Sequence, residues 1–383
     1  MRAVSSDVAD RLTRELAGWL EGPPTEAAAV VAGWGPDTWS AFRRVVTWHG
    51  LAAHLDLVLP GSAIAASVPL ATFDWLAGQA ALNATRIDRM HDELAAILAA
   101  AAAAGIEVMP LKGAILTTRP GVEAGRRPMA DLDLLVRPGD RVAIGALLVG
   151  LGYAREPEDA PHPTHDVFLD PGGGRVVSRA GEHPDNPRRV EVHVEVKRHL
   201  WGWAIDDDLT EAMWRGARQG EVLGQAAMLP RPADLLAHLA IHATSDLLVG
   251  RGRLVQWLDL AAVAPEVGLG DVGGVSHPRI AYPSLRLAQR AQPRAMAADL
   301  VDLAALEKVV PARLARWAGT VPFDRRCGLT SGRPPDAPAS IAARWERWRP
   351  ERWRLDVAYG DVALPAALAR YAGTVIGRVR GRG

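Results

Sequence analysis

The chain has 383 residues, enough for two or three domains at roughly 150 residues each. With 49% hydrophobic and 23% charged residues it can bury a large core, which excludes wholesale disorder. Lys plus Arg and Asp plus Glu balance at 44 each, and there is one cysteine, so a generally basic nucleic-acid coat, a disulfide framework and a cysteine-based zinc site are all excluded.

Residues 1–10 are polar and carry no apolar signal core. The longest apolar run, Leu94 to Ala104, is far short of the roughly 20 residues that span a bilayer. A soluble, cytoplasmic protein is the expectation. Leu12, Leu16, Trp19 and Leu20 recur at helical spacing behind Ser6, which predicts a capped helix over residues 6–20 that stops at Gly22-Pro23-Pro24. Helical periodicity continues to Gly105, with Thr72 to Ala104 as one or two long helices. Residues 1–104 are therefore expected to be a helical region.

The period then changes. Residues 106–111 read as a strand, Lys112 to Leu116 as a short helix, and Asp131-Leu-Asp-Leu-Leu-Val136 as an alternating strand. Residues 138–150 read as a helix with Pro138 near its start. His165 to Leu169 and Arg175 to Ser178 are short strand candidates around Gly172-Gly-Gly174. Val190 to Val196 alternates cleanly. Residues 105–200 thus form a small α/β unit. From about 207 the pattern is helical again, strongest over 233–248 and 253–263, with further helices over 283–318, 340–349 and 361–377. Residues 201–383 are expected to be a C-terminal helical region.

Three features of the α/β unit converge. Asp131 and Asp133 are i and i+2 on a strand, so both carboxylates project from one face. Like charges that close repel unless a cation lies between them, and a divalent metal with hard oxygen ligands answers that demand. A solvated strand end would accommodate the same pair. Glu191, His193 and Glu195 share one face of the second alternating strand, and Glu191 or Glu195 could supply a third carboxylate able to complete a two-magnesium site. Lys112-Gly113 sits at a strand-to-helix junction, where free N–H groups, a positive dipole and a lysine suit phosphate. Only three lysines occur in the chain, which gives Lys112 added weight.

The order Pro110-Leu-Lys-Gly-Ala114, Arg127-Pro-Met-Ala-Asp-Leu-Asp-Leu-Leu-Val136 and Val190-Glu-Val-His193 resembles uncharacterised bacterial nucleotidyltransferases of the DNA polymerase-β-like superfamily. Leu235 to His242 and Trp257-Leu-Asp259-Leu resemble that family's C-terminal half. The resemblance covers about residues 75–262. It implies an α+β fold: a polymerase-β-like α/β catalytic unit flanked by helical regions. It also implies Mg²⁺ (or Mn²⁺) held by Asp131, Asp133 and Glu191, an NTP, ATP first, steadied by Lys112, Gly113 and Arg127, and an unidentified small-molecule, peptide or protein acceptor. His193 and Glu195 fall beside the acids or on the acceptor side. The superfamily's usual Gly-Ser pair is replaced here by Lys112-Gly113, and Glu191 stands where the third acid is often Asp.

Competing readings are an idle nucleotide-binding module, transfer of a γ-phosphate, and an RNA-directed toxin–antitoxin-type enzyme. The last rests on arginines interleaved with Trp345, Trp348 and Trp353, which equally suit a helix packing its tryptophans inward. His238 and His242 have metal-ligand spacing but no third ligand, so they read as helix histidines.

Overall fold

The computed structural model describes residues 4–119, 123–156, 165–172, 176–177, 183–197, 203, 205, 207–267, 276–297, 303–330 and 349–380. They fall into two compact units: residues 1–49, 198–207 and 232–383 form one, and residues 50–197 and 208–231 the other.

The first unit is helical. Its first helix, Ser6–Gly18, is capped by Ser5, whose side chain accepts from the Val8 N–H, and not by Ser6. Leu12 and Leu16 from this helix, Phe42 from Pro36–His49, Leu236 from Pro232–Leu248 and Leu285 from Pro278–Ala291 are fully buried in its core. His49 is also wholly buried, and burial drops its pKa to about 3. It is therefore a neutral linker: Nδ1 accepts from the Leu254 N–H at 3.3 Å, which leaves Nε2 to donate to Thr13 Oγ1 at 3.0 Å. His238 is buried, and His242 lies 3.5 Å from Asp246 one turn along the same helix. Trp353 stacks on Trp317 at 4.3 Å and is buried, so this tryptophan packs inward. Trp345, Trp348 and all but the last residue of the helix expected over 340–349 lie outside the described residues.

The second unit carries the sheet. The stretch read as one or two helices is a single helix, Leu70–Ala103. It ends where Gly105 takes φ +73°, with Ile106 N–H bonded to Ala101 O and Gly105 N–H to Ala102 O, a left-handed stop that glycine makes without strain. Five strands follow: β1 (Val108–Pro110), β2 (Asp131–Val136), β3 (Ala154–Arg155), β4 (His165–Leu169) and β5 (Arg189–His193). Their order is β1-β2-β5-β4-β3, and only the central β2–β5 pair is parallel. Leu132, Leu134, Val190 and Val192 of that pair are buried on one face, and the polar residues alternate onto the other.

Three expectations change. β5 stops at His193, because Val196 turns aside to bond the Thr210 hydroxyl and the Leu209 N–H, so Glu195 lies past the strand. Of the Arg175–Ser178 candidate only Val176 and Val177 are described, and neither is in a strand. The region read as helical from 207 contains an antiparallel hairpin, β6 (Arg218–Val222) and β7 (Gln225–Leu229), closed by Leu223 and Gly224, both at positive φ.

Candidate functional site

The central parallel pair sets the register of the acids. Asp133 lies opposite Glu191, Leu135 opposite His193 and Asp131 opposite Arg189. On the other side of β2, the Leu111 N–H bonds to Asp133 O at 2.9 Å, which continues the β1–β2 ladder by one residue and delivers the next side chain, Lys112, to Asp133. Lys112 takes φ +43°, a costly conformation for a residue with a Cβ, at the sharp entry to the Lys112–Leu116 helix.

The contacts are short. Lys112 Nζ lies 2.5 Å from Asp133 Oδ1, and His193 Nε2 lies 3.0 Å from the same oxygen and 3.5 Å from Glu191 Oε2. Asp133 is buried, whereas Asp131, Glu191, His193 and Lys112 are partly buried. Burial alone would raise the Asp133 pKa, but the Lys112 ammonium and the His193 ring outweigh it and hold the carboxyl well below the usual range. Burial raises Glu191 too, and the His193 hydrogen bond together with the charges of Lys112 and His193 overcomes it. His193 is raised in turn: its bonds to Asp133 and Glu191 outweigh the cost of burying its charge. Asp131 is the exception. Burial, then the charges of Asp133 and Glu191, push it up to about 7.

The donor set fits a divalent cation. Ligand atoms of Asp133, Glu191 and His193 all lie within 4.8 Å of one another. Asp131, two residues back on the same strand face, is outside that group, and burial first, then the charges of both acids, raises its pKa. Glu195 is not part of the group.

Lys112, Gly113 and Arg127 meet at the turn. A Cβ on Gly113 would stand 2.5 Å from Arg127 Nη1 and 2.7 Å from Met129 Sδ, so the missing side chain makes room for the protein's own Arg127 and Met129. Arg127 Nη1 also donates to Pro128 O at 3.1 Å.

Two residues went unnoticed in the sequence. His165 is paired with His193 in the β4–β5 register, their rings 5.0 Å apart. Arg86, on the Leu70–Ala103 helix, is buried beneath the strand starts. The first was legible only once β4 was known to lie beside β5. The second was hidden in a helical stripe where a buried arginine looks like any surface one.

Clustered acids beside two cations, on one face of a small mixed sheet, are the equipment of phosphoryl-type group transfer. Residues 35–268 match the family described as uncharacterised nucleotidyltransferase, and the chain belongs to that family, a family of transferases. No curated protein and no solved structure matches the chain.

Proposed function

We propose that the chain moves a nucleoside monophosphate from an NTP, ATP first, to a hydroxyl of a small-molecule, peptide or protein acceptor, with release of pyrophosphate. The observation that supports this most is the parallel β2–β5 register, which puts Asp133 against Glu191 and both within reach of His193 and Lys112. In this reading residues 105–200 are the catalytic unit between helical regions 1–104 and 201–383, and the protein works in the cytoplasm. Its one cysteine, Cys327, is buried and free, and among the described residues no helix is long and apolar enough to cross a membrane.

Asp131, Asp133 and Glu191, with His193 beside them, would hold Mg²⁺ or Mn²⁺, which supplies charge neutralisation for the phosphate oxygens. Lys112 pairs with Asp133 and shifts toward the phosphates as the nucleotide enters, with Arg127 as the second cation over the turn. The acceptor oxygen attacks the α-phosphorus. The bond from that phosphorus to the bridging oxygen breaks, its electron pair leaves with pyrophosphate, and the hydroxyl proton passes to Glu191. Glu195, beyond the strand end, lies on the acceptor side.

The test supplies ATP labelled at the α or the γ position, with Mg²⁺ or Mn²⁺ and a pool of candidate acceptors, to wild type and Asp133→Ala. Label transferred from the α position alone, and lost in the variant, is the expected result. Transfer from the γ position would make the enzyme a kinase, and metal-dependent ATP binding without transfer would favour an idle module.

A further inference from the structure

The Arg86 guanidinium has five N–H groups, and five backbone carbonyls receive them. Nε donates to Met129 O at 2.8 Å, Nη2 to Ala130 O at 3.0 Å and Pro187 O at 3.1 Å, and Nη1 to Asn186 O at 2.9 Å and His183 O at 3.3 Å. The side chain is 1% exposed. Its donor capacity is fully used, and none of it goes to a carboxylate.

The choice of carbonyls is the informative part. Met129 and Ala130 immediately precede Asp131, the first residue of β2. Pro187 lies two residues before Arg189, the first residue of β5, and Asn186 and His183 lie just upstream. One planar fork therefore grips the entrances of both strands that carry the acids. Met129, the residue that packs on Gly113, is gripped as well. A full positive charge also enters the interior this way, within electrostatic reach of Asp131. A helix that only needed to pack on the sheet would do so with an aliphatic residue, since a buried guanidinium is costly to desolvate.

We propose that Arg86 is a positioning residue of the metal site: its fork fixes β2 against β5 so that Asp131, Asp133 and Glu191 converge on one cation. This rests on the reading of those three acids as metal ligands. Lysine would keep the charge but, as a point donor on a flexible stem, could not hold two segments at a fixed spacing. Residues that orient ligands from behind typically contribute ten- to a hundredfold in metal affinity.

The test is Mn²⁺ binding to the full chain, read by the electron paramagnetic resonance of free Mn²⁺, for wild type, Arg86→Met, Arg86→Lys and Arg141→Met. Arg141 is the control, because it grips Asp166 on β4, whose neighbour in register is Val192 on the face away from the acids. The expected result is Mn²⁺ affinity weaker by about tenfold or more in Arg86→Met, an intermediate loss in Arg86→Lys, and wild-type affinity in Arg141→Met despite a lowered melting temperature. Folded Arg86→Met that binds Mn²⁺ like wild type, or loses no more than Arg141→Met, overturns the proposal. Should Arg86→Met not fold, Arg86→Lys decides alone: affinity within about twofold of wild type rejects the positioning role. Wild-type protein that binds no Mn²⁺ removes the metal-site reading itself, and this inference with it.

Discussion

At the residue scale burial and unequal access to cations pull the titration of three neighbouring acids apart. Asp131, Asp133 and Glu191 face Lys112 and His193, and Lys112 is spent on Asp133 at 2.5 Å. Lys112 and His193 keep Asp133 and Glu191 ionised, whereas burial first, and then the charges of those two acids, pushes Asp131 up to about 7. Lys112 thus has two employments, holding Asp133 in the free protein and meeting phosphate in the complex. Lys112→Met should raise KM for the nucleotide roughly tenfold or more, as the loss of a charge-assisted bond implies, with a smaller fall in kcat. Steady-state kinetics separates the two; an unchanged KM would place Lys112 away from the phosphates. The methionine keeps most of the aliphatic stem, so a general loss of packing is not a competing explanation.

At the element scale the short helix after β1 and the strand β2 are where sequence and fold agree most closely. The strand Asp131–Val136 and the helix Lys112–Leu116 have the bounds that the alternation and the Lys-Gly junction imply. Both signals are local, which is why they could be read. Less legible was the partner of each element: nothing in Val190 to His193 says that the strand lies parallel to β2 with Glu191 opposite Asp133, since register is set by non-local pairing. Glu195 was misplaced for the same reason, as a period of two carries no mark of where a strand lets go. The 218–229 hairpin was missed because its turn, Leu223-Gly224, offers one glycine and a leucine forced to φ +52° in place of the usual Asn-Gly signal. Gly113 was singled out for closeness to a ligand, yet its space is taken by Arg127 and Met129. Gly113→Ala should therefore act through those neighbours. A Cβ there must displace Arg127, lowering stability by about 1–3 kcal/mol as overpacking does and raising KM for the nucleotide. Chemical denaturation and kinetics together check this; a stable variant with wild-type KM would show that Arg127 swings away freely.

At the scale of the whole molecule, the raised Asp131 carboxyl couples metal binding, pH and stability. Asp131 titrates from 3.8 to about 7 on folding, so the folded state binds this proton more tightly than the unfolded chain. A carboxyl shifted upward is neutral in both states below about pH 4, costs the fold more and more as pH rises toward 7, and costs it the full amount above. Asp133 and Glu191 run in the opposite sense, since their lowered pKa values stabilise the fold at neutral pH and that stabilisation fades on acidification. Asp131→Asn should consequently stabilise the metal-free protein at about pH 8 by on the order of 1 kcal/mol after allowance for its partial exposure, read as a higher melting temperature, and change little near pH 4. A cation reverses the sign of the wild-type cost, because it binds the ionised carboxylates of the fold and scarcely the unfolded chain. Below about pH 7 it must first displace the Asp131 proton. The rise in melting temperature given by a fixed Mn²⁺ concentration should then be larger at about pH 8 than at about pH 6, and calorimetry in two buffers of different ionisation enthalpy should show close to one proton released at the lower pH. A metal-induced rise that is equal at both pH values, with no proton release, would mean that neither Asp131 nor the His193 ring gives up a proton to the cation, and that Asp133 and Glu191 hold it without them.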